Sequence, residues 1–355
     1  SLRKRAQTGL GLTRPELAVL LAYAKLDLDA ELVTSDLPDD PYLAAQLVAY
    51  FPVAAASRFP QELANHRLRR EIIATSLANR IVNLAGPVFV HRMKEVSSAS
   101  GARVARAYVE AEGAFGLGAL KARIEALDGK LDARLQTGMY ADIAELLRRL
   151  GLWFLMNVPA SAELGQTIAS YRVGVEKLRG TFASLVSPYE AKATEARVAE
   201  LEAANVPSPI AQDVALLPVL AGAPEIVMLA QARELSVDFV AGAYFAVGAE
   251  IGLDRLRGLA ARISGGEHWD RLAVRRIVDD LYAGQRGLTA DALKNVTKTD
   301  GDRAQGAQIV KAWAEAHGDT LARTRSFLSE LERTGDLSIA KLTLANSQIH
   351  ELVGR

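Results

Sequence analysis

With 355 residues and half of them hydrophobic, this chain can bury one large core or two to three smaller ones. Lys plus Arg and Asp plus Glu both number 42, so no net charge draws the chain to nucleic acid or an anionic membrane. The absence of cysteine excludes disulfides, thiolate catalysis and Cys-based zinc sites, and fits a reducing cytoplasm.

The start at Ser1 rather than Met points to an excised piece of something larger, and the first residues carry no apolar run of signal-peptide type. Thr13-Arg14-Pro15-Glu16 reads as a capping box with proline in the first helical turn, followed by Leu17, Leu20, Leu21 and Ala24 at helical spacing. Asp36, Asp39 and Asp40 with Pro38 and Pro41 mark a break and a new start, and a helix over 42–50 ends at Pro52. The longest helix of the N-terminal half is expected over 60–84, with Leu68, Ile72, Ile73, Leu77, Ile81 and Leu84 as its apolar stripe and Gly86-Pro87 as its stop. Helices over 87–97, 101–115, 117–128 and 131–157 follow, closed by Pro159. A second block opens near Ser161 or Ser187, where Ser187-Pro188-Tyr189-Glu190 is another capping box before a helix over 188–204. Helices over 209–221, 224–234 and 236–249 come next, then a break at Gly265-Gly266 and an amphipathic stretch over 269–282. The window 214–232 is the kind of apolar run that contains Pro, Gly or charge and falls short of a membrane span. The last third gives helices over 289–296, 301–316, 318–333 and 338–353. No alternating run of β-branched residues stands between turn signals, and no regular repeat recurs. The expectation is an all-α, irregular multi-helix domain of two or three packed sub-bundles without a Rossmann sheet: a leading tail over 1–12, sub-bundles over 13–158 and 159–287, and C-terminal helices over 288–355.

Chemistry-bearing patterns fail on context. Gly113-Ala-Phe-Gly116-Leu-Gly118 is the best glycine cluster, but it departs from G-x-G-x-x-G and no strand precedes it, so it reads as a helix–helix turn. His66, His91, His268, His317 and His350 never pair at helical ligand spacing. Asp279-Asp280 follows Arg275-Arg276 and reads as local salt bridging, whereas Asp36, Asp39 and Asp40 read as helix capping. No nucleophile elbow is present. The expected catalytic, cofactor and metal residues are therefore none.

One polar feature stands out. Arg67, Glu71, Thr75, Asn79 and Asn83 recur every four residues beside the apolar stripe of the helix expected over 60–84. Asparagine is an indifferent helix former, so two in mid-helix call for a reason. Interhelical or solvent hydrogen bonding is the plain reading; a docking face for another domain, through Arg67, Arg70, Asn79 and Asn83, is the sharper one. Trp153, Phe154 and Trp269 are expected as core or interface anchors.

Three segments carry a family likeness. LTRPELAVLLAYAK over 12–25 resembles the segment just after the catalytic region of the large bacterial NAD-specific glutamate dehydrogenases. HRLRREIIATSLANRIVN over 66–83, with Gly86 and Phe89, and WDRLAVRRIVDDLY over 269–282 are similar to later parts of the same family, in the same order. The resemblance implies a parent that oxidatively deaminates L-glutamate with NAD in the cytoplasm, and a helical C-terminal domain for this chain. It also implies that the nucleotide loop and the catalytic Lys and Asp lie elsewhere, that NAD belongs to the parent, and that the partners are the catalytic region of the same polypeptide and other subunits of a homo-oligomer. Two rivals remain: a free-standing helical adaptor for protein partners, and a helical enzyme betrayed by a buried cluster of titratable groups.

Overall fold

The computed structural model describes residues 2–9, 11–182, 185–261, 263, 268–297, 301–333 and 338–353. Its regular elements are all helices, and no strand occurs among the described residues, as the missing β-alternation predicts. The chain forms two compact units, Ser1–Arg172 and Val173–Arg355. The expected break at Gly265-Gly266 lies outside the described residues.

The first unit contains α1 (Leu2–Gln7), α2 (Arg14–Thr34), α3 (Ala44–Tyr50), α4 (Val53–Arg58), α5 (Pro60–Ala64), α6 (Arg69–Ala85), α7 (Phe89–Ser97), α8 (Gly101–Phe115), α9 (Leu117–Glu125), α10 (Ala133–Asn157) and the first half of α11 (Leu164–Arg179). The capping signal at Thr13 operates as its letters indicate: the Glu16 carboxylate accepts from both the amide and the hydroxyl of Thr13, each at 2.7 Å. Asp132 caps α10 through the amides of Arg134 and Leu135, and Gly86, at φ 93°, ends α6 where only glycine sits without strain. The core lies where α8 packs on α10 and α2 on α6. Tyr108, Phe115, Leu147, Leu150, Leu77 and Ile81 are fully buried there, each contributing about 1.5–3 kcal/mol by leaving water. Trp153, Phe154 and Tyr171 add edge-to-face ring contacts at 5.1–5.5 Å.

Two expectations change here. The helix over 60–84 is two helices, interrupted between Ala64 and Arg69. At the interruption the Leu68 amide donates to His66 Nδ1 at 3.1 Å. The longest helix of this unit is instead α10. A further helix, α11, occupies a stretch for which no element was expected.

The second unit contains α12 (Pro188–Ala203), α13 (Ser208–Ala215), α14 (Leu217–Leu220), α15 (Ala223–Arg233), α16 (Val237–Ile251), α17 (Leu253–Ala260), α18 (His268–Ala292), α19 (Arg303–Ala316), α20 (Gly318–Arg333) and α21 (Ile339–Val353). The Ser187 box is formed in both directions, with the Glu190 amide donating to Ser187 Oγ at 3.2 Å and the Ser187 amide to Glu190 Oε2 at 3.3 Å. Between Asp238 and Glu250 α16 is apolar on every face and is the buried axis of this unit, as such a helix must be. It meets α19 through two glycines: a Cβ at Gly242 would collide with the Arg303 carbonyl, and one at Gly306 with the Phe239 carbonyl. The helix expected over 269–282 runs on to Ala292 and absorbs the first half of the separate helix expected over 289–296. Trp269 is 72% exposed, so it is no core residue, unlike Trp153 and Phe154.

Candidate docking site

The polar residues singled out in the first unit do not share one fate. Arg67 falls in the turn between α5 and α6, off the helix, and is exposed. Arg70 is half-buried and bonded inside the unit: its guanidinium donates to the carbonyl oxygens of Val33 and Ser35, at 3.0 and 2.6 Å, and pairs with Asp39. It thereby satisfies carbonyls at the C-terminal end of α2. Thr75 Oγ1 donates to Asp29 Oδ1 at 2.9 Å. Asn79 is half-buried, Asn83 is exposed, and neither forms a side-chain hydrogen bond among the described residues.

The bonds from Arg70 and Thr75 fix α6 antiparallel to α2. The same register, carried two turns further, sets Asn79 level with Lys25 and Asn83 level with Leu21. Those levels belong to a part of α2 that buries nothing, because its buried residues are only Leu28 and Leu32.

The aspartates divide their work. Asp40 caps a short helical turn through the Tyr42 amide at 2.9 Å, whereas Asp39 serves Arg69 and Arg70. Arg276 and Asp280 form the expected local pair at 3.2 Å.

Two buried charged clusters escaped sequence reasoning. In the first unit the Glu110 carboxylate is fully buried, with Arg106 Nε at 3.3 Å and Arg103 Nη1 at 3.8 Å. Burial pushes its pKa up to about 7 against the downward pull of Arg103 and Arg106. Arg103 donates onward to the carbonyls of Phe154, Leu155 and Val158, and Arg106 to that of Ala162. The cluster thus ties α8 to the end of α10 and the loop behind it. In the second unit the Arg257 guanidinium stacks 4.4 Å from the Tyr282 ring centre and donates to Gln285 Oε1 at 2.6 Å. Glu190 stands 3.9 Å away, and Ser187 donates to the buried Asp254. Burial raises the Glu190 carboxyl, opposed by Arg257. This cluster joins the α12 cap to α17 and α18. For the first cluster the signal in sequence was only Arg106 and Glu110 four apart on one helix, which exposed helix faces carry as well; the second joins residues of different helices.

The glycine run does not fit a dinucleotide. Gly116 adopts φ 63° and ends α8, while a Cβ at Gly113 would meet the Tyr42 hydroxyl and Ile168. One is a helix stop and the other a packing contact within a helix–helix turn, without the strand–turn–helix setting that brings a pyrophosphate to a helix N-terminus. Among the described residues no three His, Asp or Glu side chains converge on a metal position, and no single helix is long and apolar enough to cross a membrane.

Comparison with known proteins supplies what side-chain geometry does not. The family described as "Glutamate dehydrogenase, C-terminal" matches residues 9–351. The NAD-specific glutamate dehydrogenase of Halomonas elongata is 34% identical over 93% of the chain, that of Pseudomonas aeruginosa 32% over 99%, and that of Mycobacterium tuberculosis 30% over 99%. The chain spans only 20–21% of the length of these relatives. A two-unit helical chain matched almost from end to end in this way belongs to the glutamate dehydrogenase C-terminal family, which forms part of much larger NAD-specific enzymes.

Proposed function

We propose that this chain is the non-catalytic helical domain of an NAD-dependent glutamate dehydrogenase whose whole polypeptide converts L-glutamate, NAD and water to 2-oxoglutarate, ammonium and NADH. Its role is structural: it packs on the catalytic region or supports subunit assembly. The observation that carries this reading is the family match over 9–351 in a chain one fifth as long as its relatives. The side-chain chemistry supports it, because Arg103 and Arg106 serve carbonyls at the end of α10 and beyond it, and Glu190 completes the cap of α12. That use also argues against the helical-enzyme alternative that such clusters would otherwise favour. Exposed Arg67 and Asn83 and the half-buried, unbonded Asn79 are the ridge residues available to a neighbouring region, whereas Arg70 is engaged with α2. The lack of cysteine favours a cytoplasmic location.

Two assays test this. The 355-residue chain alone is expected to give no glutamate-dependent NAD reduction, and clear turnover would sink the reading. Removing the segment from the full-length enzyme is expected to change its assembly or activity; a truncated enzyme with unaltered size and turnover would count equally against it.

A further inference from the structure

The second helix of the chain has two apolar faces, and its partners α6 and α8 leave one of them exposed. Leu21, Ala24, Leu28 and Leu32 follow at helical spacing toward α6, and Leu28 and Leu32 are buried there. Val19, Tyr23, Leu26 and Ala30 follow at i, i+4, i+7 and i+11 on the opposite side, and all four are exposed. Tyr23 is 67% and Leu26 63% accessible, and Leu20 adds a fifth exposed apolar residue next to them. A solvated helix face normally carries charged and polar side chains; a helix apolar on both sides is normally covered on both.

We infer that the outer face of α2 is covered in the whole enzyme by the polypeptide that precedes this chain in the same subunit. The inference rests on the reading above and names the surface that reading left open. Three observations select this occupant over a second copy. About four fifths of the length of the relatives lies outside this chain, and the family is the C-terminal one, which puts that length upstream. The incoming chain is delivered to the start of α2, because Arg5 on α1 donates to the Gly11 carbonyl at 3.1 Å and pairs with Glu16 at 3.3 Å. A tethered segment arriving one short helix away has a high effective concentration at this face, which a separate subunit lacks.

The test is site-specific photocross-linking in the full-length dehydrogenase, with Tyr23→p-benzoylphenylalanine and, separately, Leu26→p-benzoylphenylalanine. Both positions are exposed, so the bulky ring leaves the packing of this chain intact, and two positions guard against one failed variant. Arg134, exposed on α10, receives the same substitution as a background control. The expected result is a cross-link at unchanged subunit mass, whose peptide maps upstream of residue 1. A product of doubled subunit mass, a peptide from within residues 1–355, or a yield no higher than that at Arg134 overturns the inference. The deletion and turnover assays above fail independently of this one: a doubled-mass product moves the contact to another subunit and leaves the structural role standing.

Discussion

Arg70 Nη2 lies 2.6 Å from the carbonyl oxygen of Ser35, and the same nitrogen reaches the Val33 carbonyl at 3.0 Å. A residue that reads in sequence as a candidate for an outward docking face is thus the group that closes the C-terminal end of α2 against α6. Charge-assisted bonds to carbonyls that no helix partner satisfies contribute more than an exposed ion pair. Arg70→Ala is expected to lower the stability of the chain by about 1–3 kcal/mol. Arg70→Lys should recover only part of it, because one ammonium cannot reproduce the planar fork. Urea unfolding measures both; an unmoved midpoint in the alanine variant would show that the bond carries no net stability.

Glu110 gives a pH prediction of definite sign. Its folded pKa of about 7 is above its ordinary value of 4.5, so the folded chain holds this proton more tightly than the unfolded one. The associated stability is fully present below the unfolded pKa and is lost as pH rises through the folded one. Glu110→Gln removes the titration. Melting temperatures from about pH 5 to about pH 8 should therefore fall less steeply with pH in the variant than in the parent chain. Parallel curves would refute a raised Glu110 pKa.

The same substitution is expected to have opposite effects at a glycine in the crossing of α16 and α19 and at one inside α10. Gly306→Ala places a methyl against the Phe239 carbonyl and is expected to cost about 1–3 kcal/mol. Gly138→Ala, inside α10 with nothing within 4 Å of the new Cβ, should stabilise by about 0.5–1 kcal/mol through helix propensity. Thermal unfolding of the two single variants gives the comparison, and equal shifts would deny the close approach.

Asn79 and Asn83 separate folding from docking. Neither forms a side-chain hydrogen bond among the described residues, so Asn79→Ala and Asn83→Ala should leave the stability of this chain within about 0.5 kcal/mol. In the full-length enzyme the double variant is expected to weaken assembly or lower activity. An enzyme unaffected in both would remove these residues from the interface.

Much of the fold was legible because its signals are local. Thr13-Glu16 and Ser187-Glu190 announced two helix starts, and Gly86 a stop, through chemistry contained within four residues or fewer. The break at 65–68 was not legible, since it contains no glycine or proline and keeps the apolar period of a continuing helix. α11 was missed for a related reason: Gly165 and Gly174 argue against a helix, yet Gly174 is there because Val227 fills the space its side chain would need. The ridge was half legible. Its four-residue spacing was real from Glu71 to Asn83, but only the structure shows that Arg67 leaves it, that Thr75 is bonded to Asp29 and that Arg70 is engaged by α2. The pairing of Arg106 with Glu110 is local, but its burial against the end of α10 is not marked in the letters, and the cluster around Arg257 joins residues far apart in the chain.

At the Gly242–Gly306 crossing, main chain rests on main chain, with no side chain between to absorb a change of angle. Most helix pairs re-tilt when a contact residue changes size, since flexible side chains act as adjustable spacers. Here the spacer is missing, so α16 and α19 behave as one welded beam. Substitutions on their outer faces can accumulate without altering the pitch of the pair, whereas the two glycines themselves admit almost no drift.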